Sequence, residues 1–209
     1  MNSRTQRRLI DGPAGRIECA LDAPAGAASA VAVVCHPHPQ HGGTMDNKVV
    51  QTLTRACLQL GWRSVRFNYR GVGASQGAWD EGRGEVDDAL AVIAATRAEA
   101  AGLPLVLAGF SFGGFVAAEA AARLPEDARA QRLVLVGPST QRQVVPSVPP
   151  DTVVVHGEAD DVVPLAATLD WARPQVLPVI VLPGVGHFFH GQLALLKRVV
   201  VQQLLPAPD

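Results

Sequence analysis

Gly109-Phe110-Ser111-Phe112-Gly113 decides how this chain is read, because a G-x-S-x-G pentapeptide sits where an apolar run of strand length gives way to one of helical length. Leu103 to Ala108 form the first run and Phe115 to Ala122 the second. Strand, sharp turn and helix is the setting that holds a serine in a strained conformation with its hydroxyl presented outward, which makes Ser111 a candidate nucleophile. Side chains flanking such a serine would collide with neighbouring backbone. Glycine therefore suits positions 109 and 113, and Gly114 adds room. Taken alone, the pentapeptide also fits an ordinary glycine-rich turn, so the rest of the chain has to decide.

Upstream, Leu9-Ile10 and Ile17 to Leu21 flank Asp11-Gly12-Pro13-Ala14-Gly15 and read as an N-terminal hairpin. From there on, short β-branched or apolar runs alternate with helical segments. The runs are Val31 to Cys35, Ser64 to Tyr69, Leu105 to Ala108, Leu133 to Val136, Thr152 to His156 and Val179 to Leu182. Val49, Val50, Leu53, Cys57 and Leu60 share one helical face, as do Leu193, Leu196, Val199, Val200 and Leu204. A further helix is expected to start near Glu85, with Asp87 and Asp88 in its first turn favoured by the helix dipole. This alternation predicts an α/β fold, a mostly parallel sheet with helices on both faces. At 209 residues the expectation is a single domain over 1–209.

A serine hydroxyl is a weak nucleophile at neutral pH and needs a histidine base, whose imidazole in turn needs a carboxylate to orient it and stabilise its charge. After the run ending at His156 comes Gly157-Glu158-Ala159-Asp160-Asp161-Val162-Val163-Pro164, which places two aspartates in a loop at a strand's C-terminal end. After Leu182 comes Pro183-Gly184-Val185-Gly186-His187-Phe188-Phe189, a glycine-flanked histidine in the equivalent place. Open parallel sheets bind their ligands at that edge. The chain order Ser111, aspartate, His187 is the one such a triad follows on this kind of sheet. A turn-forming aspartate and a satisfied loop histidine are the plain alternatives for these residues.

With these pieces in place the chain resembles the α/β-hydrolase family from Val31 onward. The resemblance rests on the elbow at 109–114, the H-G-x-x-D-x-x-V-P pattern at 156–164, the G-x-G-H-F-F loop at 184–189, and Phe67-Asn68-Tyr69-Arg70-Gly71-Val72-Gly73-Ala74-Ser75. The last is similar to the family's D-x-R-G-x-G-x-S loop with Asn68 in the aspartate's place, a departure that touches loop structure and not the triad. The family's acid falls four residues after the histidine of the second pattern, which selects Asp160 over Asp161. The resemblance also implies an α/β-hydrolase fold. Gly137 to Asp151, where a cap domain would be inserted, holds only fifteen residues with four prolines, so no cap is expected.

Attack by the serine puts negative charge on the substrate oxygen, which backbone NH groups must meet. One donor is the NH of Phe112, directly after the nucleophile. The other belongs to the loop after Val31 to Cys35, which reads His36-Pro37-His38-Pro39-Gln40-His41-Gly42-Gly43. This loop resembles the H-G-x-G-x-H-x-G loop of monoacylglycerol lipases with prolines replacing the first two glycines. In that register His38 takes the oxyanion position, its amide lying between two residues that have no NH, and it is preferred to Gln40.

His36, His38 and His41 also invite a metal reading, being one residue short of the H-x-H-x-D-H pattern of metallo-β-lactamase-like hydrolases. Gln40 stands where that pattern has its aspartate, and the surrounding alternation differs from that fold. Loop structure is the expected role for His36 and His41. His156 is expected to close a strand, and His190 either lines the site or is exposed. A non-catalytic binding member of the fold is the other alternative, although such proteins lose a triad residue and this chain keeps all three.

Eighteen Lys and Arg against nineteen Asp and Glu leave no nucleic-acid footprint and no attraction to an anionic membrane. Cys19, Cys35 and Cys57 are odd in number and set among apolar residues, which predicts reduced, buried thiols and no disulfide framework. No apolar run approaches membrane-spanning length, and Met1 to Arg8 lead into no secretory h-region, so a cytoplasmic protein is expected. The reading as a whole is a serine hydrolase without metal or cofactor. It is expected to cleave a carboxylic ester or related acyl compound, with thioesters and lactones left open, through an acyl-enzyme, using Ser111, Asp160 and His187 with the amides of His38 and Phe112.

Overall fold

The runs rich in valine, leucine and alanine pair into one eight-stranded sheet in the computed structural model, which describes residues 5–205. β1 (Gln6–Gly12) and β2 (Gly15–Asp22) form the antiparallel hairpin expected from the glycine and proline turn, with Gly12 opposite Gly15. Six strands follow: β3 (Val31–Cys35), β4 (Arg63–Phe67), β5 (Leu105–Phe110), β6 (Arg132–Val136), β7 (Val153–Gly157) and β8 (Val179–Leu182). The spatial order is β1-β2-β4-β3-β5-β6-β7-β8. β2 runs antiparallel to β4, and every pairing from β4 to β8 is parallel.

β4 stops at Phe67, two residues before the expected end, because the next two amides find partners outside the β3–β4 ladder. The NH of Asn68 donates to the Glu18 carbonyl at 2.9 Å, and the NH of Tyr69 donates to His36 Nε2 at 3.2 Å.

Side chains alternate across the strands, so a sheet covered on both faces needs two cores. Val31, Val33 and Cys35 of β3, with Leu105 and Leu107 of β5, face α2 (Arg83–Glu99) and α3 (Phe112–Arg123). Val34, Ala108 and Phe110 face α1 (Lys48–Gln59) and α5 (Leu193–Leu204). The fifth helix, α4 (Leu165–Ala172), was not foreseen. It is eight residues long and buries only Thr168 and Ala172, too little for an apolar stripe to show in the sequence.

α2 begins at Arg83, and its acidic first-turn residue is Glu85, not the expected Asp87 and Asp88. Glu85 Oε2 accepts the Gly82 NH at 2.7 Å, a box closing the helix start. Asp88 is instead buried against Arg70. Its Oδ2 takes the Arg70 backbone NH at 2.9 Å and Nε–H at 3.0 Å, while Oδ1 takes Nη2–H at 2.9 Å. That fork ties the 68–75 loop to α2.

Residues 137–152 contain neither helix nor strand and pass directly from β6 to β7, so no cap stands over the sheet. Among the described residues, no helix is long and apolar enough to cross a membrane.

Candidate active site

Parallel strands deliver their following loops to one edge, and the residues singled out from the sequence follow β3, β5, β7 and β8 at that edge. Ser111 alone separates β5 from α3. The reversal leaves it at φ 57°, ψ −120°, a backbone conformation that costs about 1–3 kcal/mol for a residue with a side chain. Its surroundings hold it there. The Ser111 NH donates to the Val136 carbonyl at 2.9 Å, and its own carbonyl accepts from the amides of Gly114 at 2.9 Å and Ser139 at 3.2 Å. A Cβ at Gly113 would lie 2.3 Å from the Cys35 carbonyl oxygen, and one at Gly109 would lie 2.0 Å from that of Gly113. Only glycine lets the elbow press against the end of β3.

The structure brings Ser111, His187 and Asp160 together. Ser111 Oγ is 3.0 Å from His187 Nε2, and His187 Nδ1 is 2.6 Å from Asp160 Oδ2. All three residues are buried, Ser111 being 8% exposed and His187 3%. Since a carboxylate only accepts, Nδ1 carries the proton and Nε2 is left free to accept from the serine hydroxyl. Gly137 borders this corner at φ 48°, a left-handed conformation that favours glycine, with the position of a Cβ 3.5 Å from Asp160 Oδ2 and from the His187 ring, an ordinary contact distance.

Asp160 is held from every side. Oδ1 accepts the amides of Val162 at 2.9 Å and Val163 at 2.8 Å, and Oδ2 also lies 3.3 Å from His156 Nε2. Burial pushes the Asp160 carboxyl up, but hydrogen bonds from His156, His187 and the Val163 amide outweigh it and hold the group well below the usual carboxylate range. Asp161, its neighbour, is exposed.

His156 does more than close a strand. It lies within β7, fully buried, and its Nε2 is 2.9 Å from the Val163 carbonyl, which can only accept. Nε2 therefore bears the proton shared between that carbonyl and Asp160, while Nδ1 has no partner among the described residues. The i,i+4 spacing of His156 and Asp160 is the one trace of this contact in the sequence.

The rings of His38 and Phe112 pack at a tilt, with centroids 5.0 Å apart and planes 53° from parallel, and Trp79 packs on both at 4.6 and 5.3 Å. Phe112 opens α3, so its amide has no acceptor within the helix. His38 precedes the short 3-10 turn at Pro39–His41. Its carbonyl takes the amides of His41 at 3.1 Å and Gly43 at 3.0 Å, and its own NH meets no acceptor among the described residues.

The three histidines of this loop do not converge. Both ring nitrogens of His36 are engaged inside the protein, Nδ1 at 2.6 Å from the Pro37 carbonyl and Nε2 at 3.2 Å from the Tyr69 amide. His41 is exposed and stacks on the half-buried His38 ring at 4.5 Å. Among the described residues, no three His, Cys, Asp or Glu side chains are grouped to hold a metal ion. His190 is exposed beside Phe188.

Asn68 fills the place of the family's aspartate by bridging two segments. Its Oδ1 accepts the Met45 amide at 2.9 Å and its Nδ2 donates to Glu18 Oε2 at 2.7 Å. Cys19, Cys35 and Cys57 are buried and unpaired, as expected, and burial pushes each thiol up to about 12.

A sequence profile of the family described as serine aminopeptidase, S33, matches residues 26–153, a span that includes the elbow and the histidine loop. An α/β serine hydrolase without a lid from Xanthomonas campestris is 36% identical and superposes with a TM-score of 0.89 over 100% of this chain and 99% of that one. An α/β serine hydrolase homologue from Coxiella burnetii is 38% identical, with a TM-score of 0.85 over 96% and 97% of the two chains. An uncharacterized protein of Rickettsia prowazekii is 40% identical over 119 residues, which cover 56% of this chain and 50% of that protein. Together with the elbow, the sheet order and the absence of a cap, these matches place the chain in the α/β-hydrolase superfamily, where it belongs to the serine aminopeptidase S33 family as a small serine hydrolase without a lid.

Proposed function

We propose that this serine hydrolase cleaves a small carboxylic ester or a related acyl compound, a thioester or lactone included, through an acyl-enzyme intermediate. The observation that carries the reading is the unbroken line from Ser111 Oγ to His187 Nε2 at 3.0 Å and from His187 Nδ1 to Asp160 Oδ2 at 2.6 Å. Ser111 Oγ attacks the acyl carbon while His187 Nε2 takes its proton, and Asp160 stabilises the imidazolium without itself taking the proton. The amides of His38 and Phe112 stabilise the oxyanion. Collapse of the tetrahedral intermediate expels the alcohol or thiol, which leaves with the proton from His187. Water then attacks the acyl-serine, with His187 again as base, and releases the acid. The chemistry calls for no metal or cofactor. The near-neutral charge suits a small-molecule partner better than nucleic acid or a membrane, and three buried unpaired thiols suit a reducing cytoplasm.

Replacing Ser111 by alanine tests the reading, because one hydroxyl at a loop apex contributes little to packing. Turnover of p-nitrophenyl acetate is expected to fall by several orders of magnitude with the unfolding midpoint nearly unchanged. Near-normal turnover in Ser111→Ala would overturn the proposal.

A further inference from the structure

Resting on the reading just given, we propose that His36 is a positioning residue for the oxyanion site: its buried imidazole fixes the plane of the Pro37–His38 peptide and so aims the His38 NH. His36 directly follows β3 and is 0% exposed. Its Nε2 accepts the Tyr69 amide at 3.2 Å, and an amide can only donate, so Nε2 carries no proton. The proton sits on Nδ1, which donates to the Pro37 carbonyl at 2.6 Å. Tyr69 closes the clamp from the other side, its hydroxyl donating to the His36 carbonyl at 3.1 Å.

A trans peptide is planar, with its carbonyl and its NH pointing in opposite directions. Holding the Pro37 oxygen toward the buried ring therefore turns the His38 NH away from the core. Gly43 leaves room for that oxygen, since a Cβ there would lie 2.1 Å from it. The prolines on either side of His38 have no NH, so His38 alone supplies a donor at this point of the loop. Burial pushes His36 down to about 3, which keeps the tautomer, and with it the clamp, constant across the working pH range.

Two substitutions separate the two bonds of the ring. In His36→Asn the amide nitrogen takes the place of Nδ1 and keeps the donor to Pro37. In His36→Gln the longer side chain reaches toward Tyr69 and loses that donor. Kinetics on p-nitrophenyl acetate are measured for both, with unfolding midpoints and the pH profile of kcat. The expected result is kcat within about threefold of wild type in His36→Asn and at least about tenfold lower in His36→Gln, with KM and the rising limb of the pH profile unmoved in both, since a full oxyanion donor is worth about 100- to 1,000-fold. Equal kcat in the two variants, or a loss in His36→Gln that lies in KM, would overturn the proposal. If His36→Gln does not fold, His36→Asn decides: retained kcat supports the clamp, and a folded variant with kcat lowered tenfold contradicts it. Wild-type hydrolysis with covalent labelling of Ser111 keeps these outcomes distinct from failure of the acyl-transfer reading itself.

Discussion

His156 lies 3.3 Å from Asp160, on the same carboxylate oxygen that His187 holds at 2.6 Å. With the amides of Val162 and Val163 on the other oxygen, the carboxylate is bonded on every side and has no freedom to turn away from His187. Asp160 is thus fixed by β7 and the loop that follows it, and it in turn holds His187, which stands on the loop after β8.

Removing that second histidine should therefore be felt in stability. In His156→Phe the Val163 carbonyl and one side of Asp160 lose their donor inside the protein, at a cost of about 1–3 kcal/mol. His156→Gln, which keeps an NH near the position of Nε2, is expected to recover most of it. Urea denaturation of both variants checks this, and equal midpoints in the two would show that the ring acts only as filler.

Acidification should destabilise the protein through two groups that act in the same direction. His36 is neutral in the fold down to about 3, whereas an unfolded histidine takes up its proton near 6.5, so between those values the unfolded chain binds a proton the fold refuses. Stability is full above about pH 7 and falls as the pH drops through that window. Asp160, held below the ordinary carboxylate range, adds stability that is present above about pH 4 and is lost below it. Urea midpoints measured from pH 8 to 4 should be flat at first and then decline, and His36→Asn should flatten the part between 6.5 and 4.5. An unchanged slope in that variant would contradict the assignment of a buried neutral ring.

An uncapped site offers little apolar wall to a long acyl chain, and each methylene left in water forgoes about 0.8 kcal/mol. Short p-nitrophenyl esters are expected to be cleaved faster, by kcat/KM, than long ones, with no rate jump at lipid surfaces. A chain-length profile that peaks at about twelve carbons or more, or activation above the critical micelle concentration, would show an apolar tunnel that residues 137–152 do not provide.

The sheet and the candidate site were legible because both depend on short-range signals. Val31 to Cys35 and Leu105 to Ala108 announce strands by composition, and Ser111, Asp160 and His187 each follow such a run within a few residues. Pairings across the chain left no such mark. Asp88 reads as a helix-start carboxylate until the fold sets it against Arg70, eighteen residues earlier, and His36 reads as a loop residue until Tyr69 closes over it from two residues past β4. α4 was missed for a different reason: with only two buried positions it carries no periodicity to find.

Covalent labelling with a fluorophosphonate, followed by peptide mapping, tests nucleophile, activation and access together. Such a probe reacts only with a serine whose proton is taken as it attacks, and the 3.0 Å approach of Ser111 to His187 predicts one label, on the peptide that carries Ser111. The label should be lost in Ser111→Ala and strongly slowed in Asp160→Asn, where the imidazole no longer faces an ionised partner. A folded wild-type protein that takes no label, or takes it at another residue, would contradict the account.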